Sequence, residues 1–308
     1  MISVVCPFYN EEQILRWSVQ DMLKNLKELP DDWELIIVND GSTDESYDIA
    51  KEISEAHSSV QLISYTNNRG RGHALITGIR AAKGELIFTT EIDSSWGDHV
   101  VRDMYNAFQE DPSADIIIAS PHLPGGGYRN VPPHRTLLSQ VGNIIIRMGL
   151  GNSPTMNTGM TRGYRRNVIQ SLPLYEEGKE FHLEVVLKAL TLGKKITEVP
   201  ATLEWKDYKQ EGKTEKRKSS SKIKKLIRTH LFFSIFAAPI RYLWGLSIIF
   251  AIAGASSGIY AFIRYMVSEP YAYGILGCIA FIILAVLLFS FGVITQQNSL
   301  LMRELWDS

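Results

Sequence analysis

Cysteine is nearly absent. The chain of 308 residues holds two, Cys6 and Cys278, each inside an apolar run. That placement excludes a disulfide framework and a cysteine zinc site, and it points to a reducing compartment for the soluble part. Both read as small buried hydrophobes. A basic surplus is missing as well. The formal net charge is -1, whereas a nucleic-acid binder carries excess positive charge, so no nucleic-acid partner is expected. The opening residues, Met1-Ile-Ser-Val-Val-Cys6, lack the basic start and cleavable apolar stretch of a secretory signal, so none is expected.

Charge vanishes altogether from two stretches near the end, residues 242–263 and 270–302. Each exceeds the roughly 20 residues that cross a bilayer core as a helix. Arg264, Glu269 and Pro270 mark a short turn between them. The pattern predicts a hairpin of two transmembrane helices, about 242–263 and 273–295, within a segment 241–303. The preceding segment 213–240 opens on Lys213, Lys216, Arg217, Lys218, Lys222, Lys224, Lys225 and Arg228 against Glu215 alone, and continues with Leu226, Ile227, Leu231, Phe232 and Phe233. It reads as an interfacial helix on anionic lipid or as a solvated charge run entering the membrane. The positive-inside rule then puts the N-terminal part and the short C-terminus in the cytoplasm, making an integral membrane protein with membrane lipid as a partner. Gly254 and Gly258 form a GxxxG that permits close helix packing, including pairing of two copies through the membrane helices.

Residues 1–212 alternate in character. Apolar runs at 2–6, 34–38, 60–64, 85–89 and 114–119 predict five strands. Helical spacing separates them: Ile14, Leu15, Val19, Met22, Leu23 and Leu26 after the first strand, with Asn10 as a candidate N-cap, and a helix from about Asp44 to Ala56 after the second. The alternation predicts an α/β domain, a mostly parallel sheet with helices on both faces. Ligands of such sheets bind at the carboxyl ends of the strands. The unusual residues gather there, at 7–11, 39–44 and 91–95.

Those positions suit a nucleotide-sugar donor. Its leaving diphosphate needs a divalent cation, and Mg²⁺ or Mn²⁺ takes a few carboxylates while keeping positions for phosphate. Glu91 and Asp93, two apart across Ile92, supply such a pair, with Ser95 as an outer contact. Acids on loops are common, and it is the strand end that lends this pair weight. Asp40, at the end of the second strand, could accept a hydrogen bond from a base or ribose, or it could serve as a turn residue. Tyr9 could stack on a base or pack on the next helix. Gly70-Arg-Gly72 lacks a third glycine and follows the wrong strand for a dinucleotide fingerprint, so a dehydrogenase is set aside.

Taken in order, Pro7-Phe-Tyr-Asn-Glu11, Asn39-Asp-Gly-Ser-Thr-Asp44, Asn68-Arg-Gly-Arg-Gly72 and Glu91-Ile-Asp93 resemble the family 2 glycosyltransferases of GT-A (Rossmann-like) fold. Gly125-Gly-Gly127, Pro133-His-Arg-Thr-Leu-Leu-Ser139, Asn157-Thr-Gly159, Glu198-Val-Pro200 and the membrane hairpin are similar to the polyprenyl-phosphate branch, which includes dolichol-phosphate mannose synthase and undecaprenyl-phosphate glucosyltransferases. The resemblance implies inverting transfer from a UDP- or GDP-sugar to a polyprenyl phosphate. It implies that Pro7, Tyr9, Glu11, Asp40, Glu91, Ile92 and Asp93 hold the nucleotide, and that Glu91, Asp93 and Ser95 serve the metal. Arg135 and Ser139 would hold the acceptor phosphate, joined by Lys206 or Arg217, and Asp93 and Arg135 would be catalytic.

The chain departs from the family pattern at three points. Glu91 stands for the first aspartate, Pro121 for an arginine, and Trp96-Gly-Asp-His99 for a histidine-proline. His122 or Arg129 could stand in for the arginine. Glu184 reads as structural, with a base for a hydroxyl acceptor as the alternative. Gln13-Ile-Leu-Arg16-Trp17 spells a motif of processive synthases, but its place on the first helix suggests that Trp17 packs in the core. Two other readings stay open: transfer to a lipid hydroxyl such as diacylglycerol, and an inactive nucleotide-binding relative.

Overall fold

The computed structural model describes residues 1–150, 154–205, 239–267 and 272–307. Lys206, Arg217, the rest of the basic segment up to residue 238 and the turn at Pro270 lie outside the described residues. Contacts divide the chain into two compact units. One comprises Met1–Arg147 and Gly151–Ile227, the other Met148–Leu150 and Arg228–Ser308.

The five expected strands are all present, with ends shifted by at most two residues: β1 (Ile2–Phe8), β2 (Trp33–Asp40), β3 (Val60–Tyr65), β4 (Leu86–Thr89) and β5 (Ile116–Ser120). Val4 to Cys6, Leu35 to Val38 and Ile116 to Ile118 are fully buried, as strands covered on both faces must be. β1 pairs in parallel with β2 and β4, and β2 with β3. Pro7 belongs to β1. Its missing N–H falls beyond Val5, where the ladder to β4 has ended.

Two strands join this sheet from farther along the chain. β7 (Arg162–Arg165) inserts antiparallel between β4 and β5, and β8 (Ile196–Pro200) pairs in parallel with β5. The sheet order is β3-β2-β1-β4-β7-β5-β8. β6 (Gly127–Arg129) and β9 (Thr202–Glu204) make a separate parallel ribbon. β7 is not an apolar run, which is why a search for such runs passes over it. Its Arg162 is wholly buried, yet the guanidinium donates to the carbonyls of Gly159 (2.8 Å), His182 (2.9 Å) and Asn157 (2.6 Å). Gly163 is required because a Cβ would come within 2.8 Å of the rings of Phe88 and Phe108.

Helices flank the sheet: α1 (Leu15–Leu26), α2 (Ser46–Ala56), α3 (Arg71–Ala81), α4 (Val100–Glu110), α5 (Pro133–Leu150), α6 (Arg166–Ser171) and α7 (Phe181–Thr191). Asn10 does not cap α1, which starts only after Ile14. It is left-handed, at φ 54°, and its side-chain oxygen accepts the Thr43 N–H (2.8 Å). In return Ser42 Oγ accepts the Asn10 N–H (3.0 Å) and Ser46 Oγ the Glu11 N–H (2.8 Å). The loops after β1 and β2 are therefore tied to each other. α2 begins at Ser46 rather than Asp44, because Asp44 Oδ1 accepts the Ser46 N–H (3.0 Å) from outside the helix. Trp17 is not in the core. It is 38% exposed on α1, and its neighbour Arg16 pairs with Glu52 at the surface (2.5 Å).

The second unit contains α8 (Pro239–Met266) and α9 (Ala272–Asp307). Both are long and apolar enough to cross a bilayer, and only 17% and 11% of their apolar windows are buried, unlike the core helices of a soluble domain. α8 starts three residues before the charge-free run, with Pro239 in the first turn, where its missing N–H costs nothing. α9 continues past residue 295 to Asp307, through Gln296 and Gln297, which are good helix formers. The GxxxG face is used within the hairpin. A Cβ on Gly254 would meet Ile282 at 3.0 Å, and one on Gly258 would meet Cys278 at 2.9 Å.

Replacing Arg162 by Met should leave three buried carbonyls without donors. A loss of about 3 kcal/mol or more is expected, read as a lower melting midpoint of the solubilised chain. An unchanged midpoint would show that those carbonyls find other donors.

Candidate active site

An open cleft of ≈ 220 Å³ lies at the carboxyl ends of β1, β2 and β4. Pro7, Tyr9, Glu11, Asp40, Glu91, Ile92 and Asp93 all line it, joined by Phe8, Arg71 and Met160. The fold thus brings together every residue that the sequence assigns to the nucleotide. Arg71 is the addition. It opens α3 at the end of the Asn68-to-Gly72 loop. Tyr9 is 44% exposed, so its ring is turned out of the core and is open to a ligand.

Glu91 is held by its own turn. Its Oε2 accepts from Ser95 Oγ (2.8 Å) and Trp96 Nε1 (3.1 Å), while Oε1 faces Arg71 Nη1 at 3.5 Å. The backbone N–H of Ser95 donates to Asp93 Oδ1 (3.1 Å). Ser95, expected as an outer metal contact, gives its hydroxyl to Glu91 and so orients that carboxylate. Trp96 does the same, in the stretch where the sequence departs from its relatives. No group of three or more His, Cys, Asp or Glu that could hold a metal occurs among the described residues. Two carboxylates suit a hard cation that takes its other ligands from phosphate and water, and they do not suit a closed zinc site.

Asp40 lines the cleft, yet its carboxylate is occupied by the protein. It accepts from Tyr65 Oη (2.8 Å), Asn68 Nδ2 (3.0 Å), and the N–H groups of Arg69 (2.9 Å) and Gly70 (3.0 Å). Burial, and then the Asp40 carboxylate, push the Tyr65 phenol up, so it stays protonated and donates. The turn role that the sequence left open for Asp40 is thus filled, with the 65–70 loop as what it holds. Gly41, at φ 67°, permits the crossing, since a Cβ there would come within 2.5 Å of the Asn68 nitrogen.

Arg135 and Ser139 lie apart from the residues lining this cleft, one turn apart on the same face of α5. The Arg135 guanidinium sits 4.3 Å over the ring of Trp205, just beyond β9. Ser139 Oγ accepts from Tyr128 Oη (3.2 Å), which also meets His122 Nε2 (3.2 Å). Arg129, the alternative stand-in for the missing arginine, follows Tyr128 on β6 and reaches toward Glu204 at 3.8 Å. Leu137, Val141 and Ile144 make an apolar stripe on α5, 60%, 40% and 56% exposed. Glu184 is committed elsewhere. Its carboxylate accepts the N–H groups of Tyr175 (3.0 Å) and Glu176 (2.9 Å) and pairs with Lys188 (2.6 Å), as its structural reading requires.

The model of the family "Glycosyl transferase family 2" matches residues 3–172. An undecaprenyl-phosphate mannosyltransferase of Micrococcus luteus is 28% identical over 206 residues, covering 65% of this chain and 82% of that protein. A dolichol-phosphate mannosyltransferase of Pyrococcus furiosus is 27% identical over 205 residues, covering 65% of this chain and 56% of that protein, so little more than half of its length is spanned. Among solved structures, a glucosyl-3-phosphoglycerate synthase of Mycobacterium tuberculosis, in complex with Mn²⁺, uridine diphosphate and glucosyl-3-phosphoglycerate, superposes with a TM-score of 0.56 at 17% identity, covering 78% of this chain and 80% of that one. That likeness extends the family's GT-A fold to the sheet described above. The family model covers more than half of the chain, and the chain belongs to glycosyl transferase family 2 and is a glycosyltransferase.

Proposed function

We propose that this enzyme moves a sugar from a UDP- or GDP-linked donor to a polyprenyl phosphate, with inversion, and that Glu91 and Asp93 hold Mg²⁺ or Mn²⁺. The observation that carries the reading is the charge of the cleft: Glu11, Asp40, Glu91 and Asp93 stand against Arg71 alone among the lining residues. A diphosphate entering such a cleft meets like charge, which a divalent cation would offset while taking up the charge arriving on the leaving group. Pro7, Tyr9 and Glu11 bound the nucleoside end, Tyr9 offering its open ring face to the base. Asp40 acts through the loop it holds. Arg71 faces the diphosphate.

Arg135 and Ser139 hold the acceptor phosphate, and the apolar stripe of α5 beside them suits an isoprenoid or lipid surface. A phosphate monoester, with a second pKa of about 6, is already ionised at neutral pH. Its oxygen attacks the anomeric carbon, the bond to the diphosphate breaks, and the electron pair leaves on the nucleoside diphosphate. No proton has to move. A hydroxyl acceptor would need a base, and Glu184, the candidate the sequence offers, is bound up in its loop. Lys206 or Arg217 would add a cation. The names of the Micrococcus and Pyrococcus relatives support the acceptor class.

Residues 1–212 form the catalytic part in this reading, 213–240 the basic link and 241–303 the membrane anchor. The basic link keeps the catalytic part on the cytoplasmic side. A second copy would pair on a face of the hairpin other than Gly254 and Gly258.

The full-length protein, given labelled UDP- and GDP-sugars with Mg²⁺ or Mn²⁺, should label undecaprenyl phosphate and lose this activity in EDTA. Asp93→Ala should lower the rate by about 100-fold or more. Label on diacylglycerol instead, or full activity of Asp93→Ala, would overturn the reading. Trp96→Phe keeps the ring and deletes the N–H on Glu91. It should raise the Mn²⁺ concentration for half-maximal activity by about tenfold, and an unmoved Mn²⁺ curve would remove Trp96 from the site.

A further inference from the structure

Ser139 is the end of a directed chain of donors. A hydroxyl has one proton and two lone pairs. Tyr128 Oη donates to Ser139 Oγ at 3.2 Å, and Asn143 Nδ2 donates to the same oxygen at 3.5 Å and to the Ser139 carbonyl at 2.8 Å. Both lone pairs of the Ser139 hydroxyl are therefore addressed, and its own proton is what it has left to give. Among the described residues no acceptor for that proton is found. Tyr128 Oη also meets His122 Nε2 at 3.2 Å, and in the tautomer that carries hydrogen on this nitrogen His122 donates to Tyr128. The order is then His122 Nε2–H to Tyr128 O–H to Ser139 O–H, every donor pointing one way.

The three residues come from separate elements. His122 follows β5, where its N–H donates to Ser120 Oγ (3.2 Å). Tyr128 lies on β6 and Ser139 on α5, one turn beyond Arg135. All three are half-buried, neither sealed in the core nor loose in water. Burial holds the His122 imidazole below its usual range, an effect that Glu198 opposes and Arg147 assists, so the ring is neutral at neutral pH and one nitrogen keeps its hydrogen. Successive donors polarise each other, which strengthens the last one toward an anion.

We propose that His122 and Tyr128 are positioning residues for the acceptor phosphate, a relay that aims the Ser139 hydroxyl at the phosphate oxygens beside Arg135. The relay rests on the polyprenyl-phosphate reading given above. It would supply, with neutral donors, part of the anion hold to which Arg135, one turn before Ser139, contributes a full cation.

A double-mutant cycle on the full-length enzyme tests this, with undecaprenyl phosphate as the varied acceptor. Tyr128→Phe keeps the ring and deletes the donor. It should raise the acceptor KM about fivefold while leaving the donor KM and the melting midpoint unchanged. Ser139→Ala should do the same, and the double variant should be no worse than Ser139→Ala, because Tyr128 acts only through Ser139. Effects that multiply, or an acceptor KM for Tyr128→Phe equal to wild type, would overturn the relay and leave the acceptor class intact. Should Tyr128→Phe fail to fold, His122 supplies the second arm. His122→Gln, which retains an N–H donor, should stay within about twofold of wild type, while His122→Leu should match Ser139→Ala. Equal values for His122→Gln and His122→Leu would contradict the relay. If the wild-type enzyme does not label undecaprenyl phosphate at all, the acceptor reading fails, and the relay fails with it.

Discussion

Negative charge gathered at one edge of a buried sheet is the constraint on which the rest of this molecule depends. Glu11, Asp40, Glu91 and Asp93 all reach the same cleft, because the strands that carry or precede them are parallel neighbours ending on the same side. Carboxylates crowded together need either donors or a cation. The protein answers differently for each. Asp40 is surrounded by donors from its own fold and becomes a structural anchor. Glu91 receives two donors on one oxygen and keeps the other toward Arg71. The unequal treatment separates the acid that builds the cleft from the acid pair suited to a cation.

The loops around the cleft are held by contacts that cross between strand ends. Asn10 donates to Ser42 and accepts from Thr43, joining the loops after β1 and β2. Asp40 reaches from β2 to the loop after β3. His73, Arg69 and Glu177 then tie that loop to the segment before α7. Polar residues that look like candidate ligands in the sequence, such as Ser42, Thr43 and Asp44, are largely used in this way. The fold meets its backbone demands locally, and in doing so it sets the position of Glu91 and Asp93 relative to Arg71.

The parallel half of the sheet was legible because buried parallel strands are written as continuous apolar runs, as in Leu35 to Val38. β7 was not, because its first side chain, Arg162, is an arginine whose charge is satisfied by carbonyls from residues before and after it in the chain. The cleft residues were legible from their places at strand ends together with the family resemblance. Arg71 and Trp96 were hidden for a different reason. Each acts by touching Glu91, and a contact between residues twenty positions apart, or through an indole N–H, leaves no spacing signal. Asp40 was read in its right place, with its turn role left open beside a ligand role, because a sequence does not show how many donors converge on a carboxylate. The pair of long apolar helices was plain from its lack of charge, but the helix ends were not, since helix-forming polar residues carry α9 onward.

If the cleft is too acidic to accept a diphosphate without a cation, cation and nucleotide must each favour the binding of the other, and by the same factor. Electron paramagnetic resonance of Mn²⁺, titrated into the full-length protein with and without UDP or GDP, reads that coupling directly. The account predicts that one of the two nucleotides tightens Mn²⁺ binding by about tenfold or more. Equal Mn²⁺ affinity with and without both nucleotides would contradict it.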